Sequence, residues 1–158
     1  MTAWEKLLSC QMYNDFDDDL FQRRVAAKKL FRAYNRTEDD QTETRQKLIS
    51  ELFKSVGKNV WIEPDFRCEF GKNISIGDDV YINFGCVILD CAEVSIGANT
   101  LIGPNLGIYA PNHAIDAQER IKRGCMRRCL RSSRRMGFWE DVLRHPFILV
   151  EMYGLAEM

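Results

Sequence analysis

The chain has 158 residues, of which 46% are hydrophobic and 28% charged, and its formal net charge at pH 7 is −1. This length suits one compact domain with a substantial buried core. The near-neutral charge argues against nucleic acid or an anionic membrane as the main partner, and no apolar run approaches the ~18 residues of a membrane span.

Residues 1–56 are predicted to form an α-helical segment. Thr2 and Glu5 have the spacing of a capping box, which predicts a helix that begins at the third residue. The acidic run at residues 17–19 suits the N-terminus of a second helix, because carboxylates there oppose the helix dipole.

A third helix is predicted to begin near Asp39 or Asp40 and to end at Gly57. Its apolar side chains recur at helical spacing, as expected for one buried face. These side chains are Leu48, Ile49, Leu52, Phe53 and Val56.

Residues 58–113 carry a repeat of aliphatic residues that suits neither a helix nor an ordinary strand. Most intervals are six residues long, and the two longer ones, from Cys68 and from Ile88, begin twenty residues apart. The repeat begins at Ile62, Cys68, Ile76, Ile82, Ile88, Ile96, Ile102 and Ile108. Repeats at this short period predict a parallel β-helix, here of under three full coils, whose aliphatic side chains point inward. Gly77, Gly97 and Gly103 each follow a repeat position, and we expect the chain there to turn tightly or to have positive φ.

The two longer intervals lie at equivalent places in a twenty-residue unit, so they are predicted to widen the same corner of the coil. Glu69 and Asp90 lie at this corner, and the third coil reaches it at His113. A lone histidine is usually structural, but the surrounding carboxylates favour a chemical role. His113 is therefore the candidate catalytic residue.

The six cysteines contain no CxxC pair, which argues against a zinc site or a disulfide framework. We expect reduced cysteines that act as small core residues. The first residues lack the apolar stretch of a signal peptide. These features together favour a cytoplasmic protein without a bound metal.

The chain resembles the maltose/galactoside O-acetyltransferase family, which includes the nodulation acetyltransferases. The resemblance runs from about residue 3 to residue 124 and includes YND, RAYN, NVWIEPDFRC, NFGCVILD and NHAIDAQERIKRG. It implies a left-handed β-helix after the N-terminal helices, with residues 114–124 continuing the catalytic loop. It also implies a homotrimer that binds acetyl-CoA between subunits and transfers the acetyl group to a sugar hydroxyl.

The same resemblance assigns roles to individual residues. It implies that His113 is the general base and that a further group contacts the sugar acceptor. That group consists of Asp15, Arg24, Glu69, Tyr81, Asn83 and Asp90, although the position that matches Asp90 varies in the family. Most acetyl-CoA contacts of the family lie on later coils.

Residues 125–158 show no hexapeptide repeat and are predicted to be an irregular tail outside the family pattern. A shifted reading frame from about residues 123–125 permits the family's continuation, so a frameshift is one hypothesis, and the encoding DNA would test it. The alternative to a sugar O-acetyltransferase is an inactive β-helix remnant that at most binds sugar or self-associates. The open end of the coil is expected to leave Leu106 and Ile108 uncovered.

Overall fold

The structure is a computed structural model that describes residues 1–9, 11–113, 117–118, 126–129 and 150–152. Three helices and one short strand precede the coil. They are α1 (Ala3–Leu8), β1 (Tyr13–Asn14), α2 (Asp18–Tyr34) and α3 (Thr42–Leu52). No described helix combines the length and the hydropathy that crossing a membrane requires.

The predicted starts of the first two helices are confirmed. The Thr2 hydroxyl accepts a hydrogen bond from the backbone N–H of Glu5 at 3.1 Å, and the Glu5 carboxylate accepts one from the N–H of Thr2 at 2.8 Å. The Asp17 carboxylate caps α2 by accepting from the N–H of Asp19 at 3.1 Å. In both helices a side chain thus satisfies an N–H that has no partner within the helix.

The predicted bounds of the third helix are wrong at both ends. Helix α3 begins after Gln41 and ends at Leu52, because the next residue, Phe53, has extended backbone (φ −87°, ψ 166°). Val56 lies instead in strand β2 (Ser55–Val56), where it pairs with Ile76. The helical spacing of Val56 was coincidental. Val56 lies twenty residues before Ile76 and belongs to the repeat, so the coil begins one interval earlier than predicted.

The coil consists of three parallel sheets whose strands are separated by twenty residues. Its further strands are β3 (Trp61–Ile62), β4 (Arg67–Cys68), β5 (Ile74–Ile76), β6 (Tyr81–Ile82), β7 (Val87–Leu89), β8 (Val94–Ile96), β9 (Leu101–Ile102) and β10 (Gly107–Tyr109). One sheet contains β2, β5 and β8, the second β3, β6 and β9, and the third β4, β7 and β10. The fold is a left-handed parallel β-helix preceded by a helical segment.

The inward orientation predicted for the aliphatic repeat is confirmed. All eight repeat positions, from Ile62 to Ile108, are at most 5% exposed and belong to one core cluster. The expectation that Ile108 would be uncovered is wrong, because it is 2% exposed and packs in the same cluster as Ile88. Leu106 is half-buried against that cluster.

The corner after the first sheet uses asparagine and aspartate for its positive φ angles. Asn59, Asp79 and Asn99, each twenty residues apart, have φ between 55° and 58°. Short polar side chains tolerate this conformation better than most. The expectation of a tight turn is confirmed at Gly77, where an added Cβ would lie 2.6 Å from the backbone nitrogen of Ala98, but not at Gly103, where an added Cβ would meet nothing within 4 Å.

The helical segment is attached to the coil by buried polar contacts. The hydroxyl of Tyr34 and the guanidinium of Arg45 both donate to the carbonyl oxygen of Ile62, at 2.6 and 2.7 Å. The Arg45 guanidinium also lies 4.7 Å from the Tyr34 ring centroid and 4.5 Å from that of Trp61. These contacts hold α2 and α3 against the second sheet.

Three short strands complete the described part of the chain, namely β11 (Pro111–His113), β12 (Met126–Cys129) and β13 (Val150–Met152). Strand β12 pairs antiparallel with β1 on one side and with β11 on the other. Strand β13 pairs antiparallel with β8. Nothing in the repeat pattern predicted the strands at 126–129 and 150–152, and the rest of the predicted tail lies outside the described residues.

Candidate active site

The widened corner of the coil lies where the third sheet ends and the chain crosses to the first. Its turns follow β4 and β7, and the third coil leaves β10 at the same place. A second core cluster packs beneath it and joins this corner to the helical segment. This cluster consists of Leu7, Tyr13, Leu20, Phe70, Cys91, Ala92 and Ala110. The corner is therefore a rigid surface shared by the helices and the coil.

Two carboxylates at this corner share one guanidinium. Arg24 of α2 donates from Nε to Glu69 Oε1 at 2.6 Å, forms a second ion pair with the Asp15 carboxylate, and donates from Nη1 to the Asp15 carbonyl at 2.8 Å. The three side chains are only 10–16% exposed. Sequence analysis named all three residues, and the structure brings them together although Arg24 and Glu69 are 45 positions apart.

The arrangement places two carboxylates and one guanidinium together at a largely buried surface. The planar guanidinium is suited to holding carboxylates in fixed positions. Its carbon also lies 5.2 Å from the ring centroid of Phe70, which packs edge-on against Trp4. Sequence analysis missed these two aromatic residues, because only the docking of α1 on the corner reveals their place beside Arg24.

Asp90 lies beneath the corner and binds backbone. One carboxylate oxygen accepts from the N–H groups of Glu69 at 3.0 Å and Phe70 at 2.8 Å, and the other accepts from the N–H of Asn73 at 3.3 Å. Burial raises the pKa of Asp90 above its ordinary value, and hydrogen bonds from backbone N–H groups oppose that shift. Because Asp90 is 0% exposed, the geometry argues for a positioning role and against direct contact with an acceptor.

His113 lies at the end of β11. Strand β12 separates β11 from β1, the strand that precedes Asp15. In the sheet that β12 forms with its two neighbours, His113 pairs with Arg127, and Arg127 pairs with Tyr13. The Cα atoms of His113 and Tyr13 are therefore two strand spacings apart, roughly 10 Å. The orientation of the imidazole lies outside what the structure describes, as do residues 114–116 and 119–124 of the predicted catalytic loop.

Tyr81 and Asn83 lie on a different wall of the coil. Tyr81 belongs to β6 of the second sheet and Asn83 to the turn after it, whereas Glu69 follows β4 of the third sheet. The Tyr81 hydroxyl donates to Glu63 Oε1 at 2.9 Å, and this hydrogen bond raises the pKa of Tyr81. The Asn83 side-chain oxygen accepts from the N–H of Phe84 at 2.8 Å. A single chain thus does not bring these two residues to the Arg24 corner.

A further outward-facing row on this second sheet was missed. Trp61, Tyr81 and Leu101 are aligned by strand pairing, and Trp61 Nε1 donates to the same Glu63 oxygen at 3.0 Å. Leu101 is 68% exposed. The twenty-residue period could have revealed this row, since it places the three residues one above another.

Cysteine and metal chemistry receive no support within the described residues. Cys68, Cys86 and Cys91 are buried, as predicted for small core residues. Burial raises the pKa of Cys68 well above its ordinary value, so its nucleophilic thiolate form is disfavoured. No three His, Cys, Asp or Glu side chains in the described part of the chain group together as metal ligands.

The comparisons with known proteins agree with this architecture. Residues 6–57 match the family profile described as the maltose acetyltransferase hexapeptide capping motif. The chain is 41% identical to nodulation protein L of Rhizobium meliloti (strain 1021) over 119 residues, which cover 75% of this chain and 65% of that protein. The chain thus spans less than two thirds of the length of this relative.

Two solved structures are also similar. A maltose O-acetyltransferase from Clostridium difficile 630 is 38% identical, with a TM-score of 0.79 over 82% of this chain and 68% of that one. A galactoside acetyltransferase in complex with coenzyme A is 31% identical, with a TM-score of 0.75 over 82% and 64% of the two chains. The chain belongs to the maltose/galactoside O-acetyltransferase family of hexapeptide-repeat proteins.

Proposed function

We propose that this chain functions as an acetyl-CoA-dependent sugar O-acetyltransferase with His113 as the general base. The observation that carries the proposal is the cluster of Asp15, Arg24 and Glu69 beside the strand that ends in His113. The names of the relatives supply the reaction class, and one solved relative was crystallised with coenzyme A. The free, buried thiols of Cys68 and Cys86 favour a reducing compartment, and we propose the cytoplasm.

The proposed chemistry requires a base because a sugar hydroxyl is a poor nucleophile at neutral pH. The hydroxyl oxygen attacks the thioester carbonyl carbon of acetyl-CoA while the imidazole of His113 takes the hydroxyl proton. The carbon–sulfur bond then breaks, and the sulfur leaves with that proton as the coenzyme A thiol. An imidazole with a pKa near 6.5 suits this exchange and typically contributes a factor of about 10²–10⁴ in rate.

The carboxylates of Asp15 and Glu69 are proposed to position the acceptor. Carboxylates accept hydrogen bonds from hydroxyl groups, and Arg24 limits the rotation of both side chains through its ion pairs. Asp90 contributes by fixing the backbone of Glu69 and Phe70. The developing charge on the thioester oxygen requires N–H donors, which backbone groups at a coil corner can provide.

Tyr81 and Asn83 are proposed to complete this site from a second copy of the chain. Their position on the second sheet separates them from the Arg24 corner of the same chain, whereas the family resemblance implies that they contact the acceptor. A homotrimer would resolve the difference, because the second sheet of one subunit would face the third sheet of its neighbour. The outward row of Trp61, Tyr81 and Leu101 provides an apolar surface for that contact.

Thiol release from acetyl-CoA in the presence of a panel of sugars tests the activity. We expect release with a maltose-, glucose- or galactoside-like acceptor and a loss of about 10²–10⁴ in turnover in His113→Ala. His145→Ala, which changes the other histidine of the chain, is the matched control and should retain activity. Full activity in His113→Ala would remove that residue from the mechanism. Sugar binding without thiol release would favour the inactive remnant.

Subunit complementation tests the shared site. His113→Ala and Asn83→Ala chains are expected to be inactive separately and to regain part of the activity when they are refolded together. A mixed trimer would contain one site with neither substitution, because the two residues of each site come from different chains. No recovery in the mixture, with each variant still oligomeric by light scattering, would contradict the shared site.

A further inference from the structure

A groove of about 500 Å³ lies between the C-terminal half of α2 and the edge of the coil at β4. Helix α2 and the residue after it are attached to the coil at two places. One is the Arg24–Glu69 ion pair, and the other is Asn35, whose side chain exchanges two hydrogen bonds with the backbone of Phe66, at 2.8 and 3.1 Å. The helix advances ~16 Å between its two attachment points, while the strand advances only ~10 Å. The groove is therefore the space between two fixed attachments.

Four cationic side chains line this groove. Lys28, Arg32 and Arg36 follow one another at intervals of four residues along α2 and its C-terminal end, and Arg67 projects from the opposite side on β4. One carboxylate, that of Asp65, also lines the groove. Four cations and one anion give a local charge of +3 (4 − 1), although the whole chain carries −1.

The carboxylates of the described residues do not form ion pairs with these cations. In the part of the chain that the structure describes, none of Lys28, Arg32, Arg36 and Arg67 forms an ion pair. Like charges four residues apart destabilise a helix modestly. The helix dipole favours cations near the C-terminal end of α2, and solvation by water is enough to explain a row of cations on one helix. Neither effect explains why the coil brings a fourth cation, Arg67, to the opposite side of the groove.

We propose that this groove binds a small molecule through a phosphate or diphosphate group. Guanidinium groups bind phosphate oxygens through two parallel hydrogen bonds, and cations on both sides of a groove can contact different oxygens of one oxyanion. The volume lies within the range of small-molecule sites. The buried ring of Phe31 provides an apolar floor. The proposal does not depend on the acetyltransferase activity.

Calorimetric titration of the full chain with inorganic pyrophosphate tests the groove. We expect saturable binding that weakens as the salt concentration rises, because the contributing groups are exposed cations. Arg32→Glu and Arg67→Glu should each weaken binding by about tenfold or more. The matched control is Lys47→Glu, which makes the same charge change at an exposed position of α3 outside the groove, and it should stay within about twofold.

The variants also separate a built site from general attraction to positive charge. An equal loss in Lys47→Glu, or no saturable binding to the unmodified chain, would overturn the proposal. Arg32→Gln and Arg67→Gln, which remove the positive charge without adding a negative one, should also weaken binding, and circular dichroism checks that each variant is folded. A parallel titration with ADP identifies the source of the group: tighter binding than pyrophosphate indicates a nucleoside diphosphate, and equal binding indicates the free anion.

Discussion

Replacing Asp90 by asparagine is expected to destabilise the corner that carries the candidate site. The carboxylate of Asp90 is fully buried and accepts three backbone hydrogen bonds, from Glu69, Phe70 and Asn73. The amide oxygen of asparagine can keep the two bonds to the first oxygen. Its NH₂ group would face the N–H of Asn73, so that one buried donor would lose its acceptor and meet another donor.

The magnitude follows from the groups that are left unsatisfied. A buried N–H without an acceptor costs about 1–3 kcal/mol, and the loss of charge weakens the two remaining hydrogen bonds further. Removal of a buried charge recovers part of that loss. We therefore expect the free energy of unfolding to fall by about 2–4 kcal/mol in Asp90→Asn at pH 7.

Urea denaturation followed by circular dichroism measures this difference. Asp79→Asn is the matched control, because Asp79 is exposed, has a positive φ that asparagine tolerates, and accepts only from the side chain of Asn59. It should change the unfolding free energy by less than about 0.5 kcal/mol. If Asp90→Asn and Asp79→Asn were equally stable, the backbone network would not hold the corner together, and the positioning role of Asp90 would be lost.

Three further predictions concern pH, the helix–coil contact and one turn. Because burial raises the folded-state pKa of Asp90 above 3.8, the folded state binds more protons than the unfolded state just above that pH. The stability advantage of the unmodified chain over Asp90→Asn should therefore grow as the pH falls from 7 towards 4, and a constant difference in urea titrations would contradict this. Arg45→Ala removes a 3%-exposed guanidinium that bonds to the coil, and should cost about 2–4 kcal/mol in the same assay, against a near-neutral Lys47→Ala. Gly71→Ala should lower stability by about 2 kcal/mol or more, since Gly71 has φ +72° and a Cβ there would lie 2.6 Å from a backbone oxygen. Gly103→Ala, which meets nothing within 4 Å, should be close to neutral, and equal melting temperatures for the two alanine variants would refute the steric explanation.

The repeat in the sequence predicted the coil because the information is local. In a short strand the direction of each side chain depends on its place in the repeat, so seven isoleucines and one cysteine at recurring intervals predict an inward row. The same locality explains the confirmed capping of α1 and α2, where donor and acceptor lie two or three residues apart. The exception was Val56, whose position satisfies both a helical stripe and the twenty-residue period.

The sequence alone thus determined the coil and the starts of the first two helices, and it named the widened corner as the candidate site. Only the tertiary structure decided which side chains meet there. Arg24 reaches Glu69 because α2 docks against β4, a contact between distant parts of the chain that no local pattern encodes. The structure likewise buried Asp90 in a backbone network and separated Tyr81 from the corner, because those placements depend on how whole elements pack.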